Sequence, residues 1–141
     1  MKNEKIIMVV EKAGEAIWGR VRYNDNLIVE SAASIPQLEI KLKKLLKAFH
    51  KLDPKYIEID VQYDITALFE EKNFLNTAIV AERAGINKSL MRQYAAGIKF
   101  PSYERVRAIE QVIHAIAQEL LAVKLVSKSE FARTDSTSYA V

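Results

Sequence analysis

The side chains with the clearest chemistry lie between Asn76 and Ser102, where polar runs alternate with small and apolar residues. Four of them can donate hydrogen bonds to base edges in a DNA major groove: Lys88, Ser89, Arg92 and Gln93. Four more are candidates for phosphate contacts: Asn76, Thr77, Asn87 and Lys99. The stretch from Arg83 to Arg107 has six basic residues and one acidic residue, although the whole chain carries only +3. This clustering favours binding of an anionic polymer over a merely charged surface.

Two short helices joined by a tight turn are predicted to hold these side chains. Gly85 lies where the first helix must end, because glycine adopts positive φ without a steric clash. Asn87 is a good N-cap for the second helix, which ends at Gly97. A third helix begins near Ser102. The inward residues of the first two helices are Val80, Ala81, Ala84, Leu90, Met91 and Tyr94.

This segment resembles the Cro/lambda-repressor type of helix-turn-helix. The matching positions are Val80-Ala81, Ala84-Gly85, Asn87 to Tyr94, Gly97, Lys99 and Pro101. That family often has Gln near the start of its first motif helix, where this chain has Thr77, whose hydroxyl reaches less far towards a phosphate. The resemblance implies sequence-specific DNA binding. The alternative is an ordinary helical hairpin with a glycine turn.

Residues 5–63 are predicted to form a small α+β unit in the order β-β-β-α-β. Asn24-Asp25-Asn26 is a turn signal between the second and third strands, and Ser34 is an N-cap for the helix. The last strand is placed in the same sheet, since three strands and one helix cannot be closed off without it. The predicted strands are Lys5–Val10, Ala16–Tyr23, Leu27–Ala32 and Tyr56–Gln62.

Trp18, Arg20 and Arg22 alternate along the predicted second strand and share one of its faces. Because Trp and Arg often dominate protein interfaces, these three residues are candidates for binding a partner. In the alternative arrangement Trp18 lies in the core beneath the helix. Periodicity alone does not separate the two.

The final predicted helix runs from Ser102 to about Val123, a length of about 30 Å. It has more apolar surface than a small helical domain needs, so Ile113, Ile116 and Leu120 are candidate oligomerisation residues. Packing of this helix on the N-terminal sheet is the alternative. Residues 127–141 are polar and small, and they are predicted to form a flexible tail.

No enzymatic chemistry, metal site or cofactor is predicted. The chain lacks cysteine, which excludes disulfides, thiolate metal ligands and a cysteine nucleophile. His50 and His114 are far apart, and Glu58 and Asp60 are expected on a solvated strand face. The longest apolar run, Ile6–Val10, is too short to cross a membrane. A cytoplasmic location is therefore expected.

A β-β-β-α-β unit followed by a helix-turn-helix also resembles the HicB-type antitoxins, over roughly residues 5–123. The local matches are Ala81 to Asn87, Ser89 to Tyr94 and the helix from Ile109 to Leu120. One departure is Asn24-Asp25-Asn26, which replaces the usual Pro-Gly connection after the second strand.

The HicB resemblance implies two functional domains. Residues 1–63 would be a partial ribonuclease-H-like fold that binds a small HicA-like ribonuclease toxin. Residues 64–126 would bind double-stranded DNA at the chain's own promoter as a dimer or higher homo-oligomer, with the tail following at 127–141. Two alternatives stay open: a ligand-sensing one-component repressor, and a protein-interaction module that does not bind DNA.

Overall fold

A four-stranded mixed sheet and a set of helices make up the protein, whose computed structural model describes residues 3–133. The predicted α+β class and the β-β-β-α-β order of the N-terminal unit are confirmed. The strands are β1 (Glu4–Ala13), β2 (Ala16–Tyr23), β3 (Asn26–Ala32) and β4 (Ile57–Tyr63). The helices are α1 (Ile35–His50), α2 (Ile65–Glu71), α3 (Thr77–Ala84), α4 (Lys88–Ala95), α5 (Tyr103–Leu121) and α6 (Lys128–Arg133), with a 3-10 turn at Pro54–Tyr56.

The strand order is β3-β2-β1-β4, so the last strand does belong to the same sheet. β1–β2 and β2–β3 are antiparallel hairpins, whereas β4 runs parallel to β1. Asn24 and Asp25 both have positive φ, which suits the two-residue turn that joins β2 to β3. β1 extends three residues past its predicted end, because Ala13 pairs with Ala16 across the first hairpin.

Helix α1 covers one face of the sheet. Leu38, Leu42 and Leu46 are fully buried there against the inward side chains of β1 and β2. Ile17 and Val21 are among those inward residues, so Trp18 lies on the opposite, uncovered face of β2. This placement decides between the two arrangements that the periodicity of β2 allowed.

The close approach of α1 to the sheet depends on Gly19. A Cβ atom at this position would lie 3.1 Å from the Met8 sulfur and 3.3 Å from a methyl carbon of both Leu38 and Leu42. Those three side chains are fully buried, and the close packing of a protein interior leaves them little room to shift. Glycine is therefore required here by packing, not by its backbone conformation.

A second hydrophobic core forms among the remaining helices. Its buried members are Ile65, Val80, Ala81, Ile86, Met91, Tyr94 and Ile109. α5 packs chiefly against α3 and not on the sheet. Within the region predicted as a flexible tail, the structure forms α6, while residues 134–141 lie outside the described part. No helix within residues 3–133 is both long and apolar enough to span a membrane.

Gly19→Val is expected to lower the free energy of unfolding by about 1–3 kcal/mol, because the added methyl groups overpack the core. Urea denaturation followed by circular dichroism measures this change. Arg22→Val is the matched control, since Arg22 lies on the open face of the same strand. Equal stability of the two variants would contradict the packing role of Gly19.

Candidate nucleic-acid interface

Helix α3 begins and ends with defined capping interactions. The Asn76 side-chain oxygen accepts hydrogen bonds from the backbone N–H groups of Ala78 (3.0 Å) and Ile79 (3.2 Å). Gly85 has a φ of 70°, and the N–H of Ile86 donates to the carbonyl of Ala81 at 2.9 Å. This is the closure expected of a helix that ends on a left-handed glycine. Ile86 is then buried in the second core, which fixes the direction of the turn.

Helix α4 starts two residues later and exposes one polar face. Asn87 caps it by accepting hydrogen bonds from the N–H groups of Ser89 (2.8 Å) and Leu90 (3.3 Å). Met91 and Tyr94 are buried, so the opposite side of the helix faces solvent. Of the predicted base-reading residues, Lys88, Ser89 and Arg92 are exposed and Gln93 is half-buried.

The six basic residues of this region fall into two groups of three. Arg83 forms an ion pair with Glu119, Arg107 forms one with Glu110, and Arg105 donates to the Tyr94 hydroxyl. Within residues 3–133, the other three form no hydrogen bond or ion pair through their side chains. We call these three the unpaired cations: Lys88, Arg92 and Lys99.

The predicted phosphate-contacting residues lie at helix starts and in the loop after α4. The capping oxygens of Asn76 and Asn87 are occupied, which leaves their side-chain amide groups as donors. Thr77 is the half-buried first residue of α3. Lys99 is exposed and follows Gly97, which ends α4 with a φ of 76°.

Sequence reasoning missed the role of Arg105, which it counted only as part of the basic cluster. Its guanidinium group donates to the Tyr94 hydroxyl and thereby ties α4 to α5. A buried tyrosine usually finds a hydrogen-bond partner, so Tyr94 gave a signal that a partner was needed. Nothing in the sequence spacing indicated which residue would supply it.

The uncovered face of the sheet holds the three candidate partner-binding residues together. Trp18 is half-buried, Arg20 is 3.3 Å from Glu11, and Arg22 is exposed beside Leu27 on the neighbouring strand. A depression of about 560 Å³ lies on this face. At its edge the Tyr23 hydroxyl donates to Glu4 at 3.1 Å, and desolvation together with that carboxylate raises the pKa of Tyr23.

The candidate oligomerisation residues follow one stripe of α5. Ile113 and Ile116 are half-buried against the second core, whereas the side chain of Leu120 is 62% exposed. Ile113 also lines a groove of about 510 Å³ between the end of β4, α2 and the first half of α5. The stripe thus continues beyond the point where the chain's own helices cover it.

Two further polar side chains of the described region have structural roles. Asp64 caps α2 by accepting from the N–H of Thr66 at 3.2 Å, and His50 packs edge-on against Tyr23 with ring centres 5.0 Å apart. No cluster of three potential metal ligands occurs in the described residues.

No protein-family model, curated protein or solved structure matches this chain.

Gly85→Ala is expected to lower the free energy of unfolding by about 1–2 kcal/mol, because an L-residue is strained at positive φ. A Cβ at Gly85 would meet no atom within 4 Å, so the cost comes from the backbone alone. Gly85→Asn is the matched control and is expected to cost less, since Asn tolerates this conformation. Thermal or urea unfolding of both variants tests the difference.

Proposed function

We propose that this protein is a sequence-specific DNA-binding transcription regulator, cytoplasmic and autorepressing, with α3 and α4 as a helix-turn-helix. The observation that carries the proposal is the outer face of α4. This face presents donors and no acidic side chain, while Met91 and Tyr94 anchor the opposite face in the second core. Such a helix fits the major groove, where base edges offer distinct patterns of acceptors and donors.

The spacing on α4 supports a role in reading base edges. Lys88 and Arg92 are four residues apart, as are Ser89 and Gln93, so each pair lies along one side of the helix. Arg92 can pair bidentately with guanine and Gln93 with adenine. Because both Lys88 and Arg92 are unpaired cations, neither must give up an ion pair to reach the DNA.

The phosphate contacts would come from the helix starts. Backbone N–H groups and the positive end of the helix dipole attract anions at such positions. Asn76 with Thr77 lies at the start of α3, and Asn87 lies at the start of α4. Lys99 adds a point charge from the following loop. Two copies of the protein would read half-sites about 34 Å apart.

Arg92→Ala is expected to weaken binding to the chain's own upstream DNA by about 1–3 kcal/mol and to relax base preference, as expected for a base-reading arginine. Fluorescence anisotropy with a salt series measures the affinity, and unrelated DNA serves as competitor. Arg107→Ala is the matched control, because Arg107 is engaged with Glu110 at 3.0 Å.

The salt series tests whether the chain binds DNA through phosphate contacts or is a protein-interaction module that does not bind DNA. Binding to DNA weakens steeply as salt rises, because the release of counterions from the phosphates becomes less favourable, and the unrelated competitor DNA distinguishes specific from non-specific binding. Lys99→Ala is expected to lower affinity for all sequences alike and to reduce the salt slope by about one. Absence of binding at low salt by the folded wild-type chain would overturn the proposal and leave the helices as a protein-interaction module.

We also propose that the N-terminal unit binds a protein partner, which the HicB resemblance implies is a small ribonuclease toxin. The supporting observation is the sheet face without a helix on it, where Trp18 and Arg22 lie among the exposed apolar residues Ile7, Leu27 and Val29. Trp and Arg residues surrounded by apolar residues are typical of the positions that contribute most of the binding free energy in an interface.

Trp18→Ala combined with Arg22→Glu is expected to abolish capture, in a co-expression pull-down, of the small toxin that the HicB resemblance predicts to be encoded beside this chain. The double variant should still bind DNA, because the substituted residues lie outside α3 and α4. Lys44→Glu on the exposed side of α1 is the control. Undiminished capture by the double variant would remove this face from the partner interface.

A further inference from the structure

The C-terminal end of the described chain exposes an unusual amount of apolar surface. Every residue from Ala117 to Arg133 is exposed. We define the C-terminal arm as residues 122–133, which follow α5 and include α6. Leu125 is 90% exposed and Phe131 is 65% exposed. The large apolar side chains exposed here and in the last turn of α5 are Leu120, Leu121, Val123, Leu125, Val126 and Phe131.

A concave apolar surface occurs in the same chain. The groove between the end of β4, α2 and the first half of α5 has a volume of about 510 Å³. Its apolar lining includes Val61, Leu68, Phe100, Val106 and Ile113. We call it the interdomain groove. The arm and the groove have matching chemistry, because one offers exposed aliphatic and aromatic side chains and the other offers an apolar recess.

The arm lies at the wrong end of α5 to fill its own chain's groove directly. From Val106 to Ala122 the helix rises by about 24 Å. In a dimer whose two α5 helices run antiparallel, the arm of one copy lies beside the groove of the other copy. With the helices crossing near Ile116, Val123 of one copy lies level with Ile109 of the other, and the arm then runs past Val106 towards Phe100.

We propose that two copies of this chain form a dimer through antiparallel α5 helices, with each C-terminal arm seated in the interdomain groove of the other copy. The occupant of the groove is thus a second copy's residues 122–133. This proposal rests on the dimer proposed above for DNA binding and names the surfaces that form it. Dimer formation is measured without DNA, so it can fail while DNA binding is retained.

The apolar stripe of α5 supports a helix partner. Ile109, Ile113, Ile116 and Leu120 are spaced by four, three and four residues, which is the repeat of helices that pack along a shared seam. Ile109 is buried in the second core, whereas Leu120 is 62% exposed among the described residues. A stripe that continues past its own core needs a further surface to bury it.

The charges on the two surfaces are also complementary. The arm has three basic residues, Lys124, Lys128 and Arg133, and one acidic residue, Glu130. The groove lining has Asp64 and Glu110 against one arginine, Arg107. An arm of charge +2 therefore meets a lining of charge −1, which favours this docking over repulsion.

The absence of native cysteine permits a direct test by disulfide formation. Val126→Cys in the arm and Phe100→Cys in the groove replace two exposed residues, so folding is not at risk. Mixing the two single variants under mild oxidation is expected to give a covalent heterodimer. The control mixes Val126→Cys with Leu27→Cys, which is exposed on the uncovered sheet face and should not become linked.

Each outcome of the disulfide test bears on the proposal. Selective linkage of Val126→Cys to Phe100→Cys between chains supports it. If a chain carrying both substitutions closes only on itself, the arm occupies its own groove and the proposal is overturned. Linkage to Leu27→Cys at the same rate, or no linkage to either position, also overturns it.

The second measurement is the dimer dissociation constant of the full chain by analytical ultracentrifugation. Leu125→Glu with Val126→Glu is expected to raise it at least about 100-fold, since apolar burial is lost at two equivalent sites. Phe49→Glu, at an exposed apolar residue of α1, is the control and should leave it unchanged. A monomeric wild-type chain at all concentrations would overturn the proposal.

Discussion

The Thr66 side chain connects the N-terminal sheet unit to the C-terminal helical unit, and the arrangement of the two units depends on this connection. Its hydroxyl accepts a hydrogen bond from the backbone N–H of Lys12 at 3.0 Å and donates to Asp64 at 2.6 Å, so it ties the end of β1 to the start of α2. Its methyl group lies 3.4 Å from where a Cβ on Gly97 would be, next to the end of α4. Ile65 enters the second core and Ala67 enters the first. Because one turn of helix belongs to both cores, the sheet fixes the direction in which α4 presents Lys88 and Arg92.

The basic residues divide between holding the helices and facing solvent. Arg83 and Arg105 link α5 to α3 and α4, and each guanidinium group would have to give up its present contact to bind DNA. The unpaired cations lie instead on α4 and in the loop after it. Only three of the six basic residues in this part of the sequence are therefore free of side-chain contacts within the described residues. Two of these three, Lys88 and Arg92, lie four residues apart on α4, where a helix that contacts base edges would need them.

Much of the fold could be predicted because local pattern and tertiary packing agree. The spacing of Leu38, Leu42 and Leu46 and the glycine at Gly85 specify elements that the structure contains. The end of β1 could not be predicted, because Glu11 and Lys12 are polar and join the sheet only through pairing with β2. The grouping of basic residues was visible in the sequence. Which of them would be engaged depended on contacts between α3, α4 and α5, and no local pattern encodes such contacts.

Side chains protect part of the free edge of β3, whereas the C-terminal end of the described chain exposes apolar surface. In the β2–β3 hairpin, Tyr23 and Asn26 flank a two-residue turn, so by alternation the backbone groups of Ser31 point away from β2. Both are satisfied: the N–H donates to the Glu30 carboxylate at 3.1 Å, and the carbonyl accepts from Lys41 at 2.7 Å. Side chains thus protect this end of an edge strand from pairing with another chain. Within residues 3–133, the apolar side chains between positions 120 and 131 have no comparable protection, and extended uncovered apolar surface is a mark of interaction sites, which is the role proposed for them above.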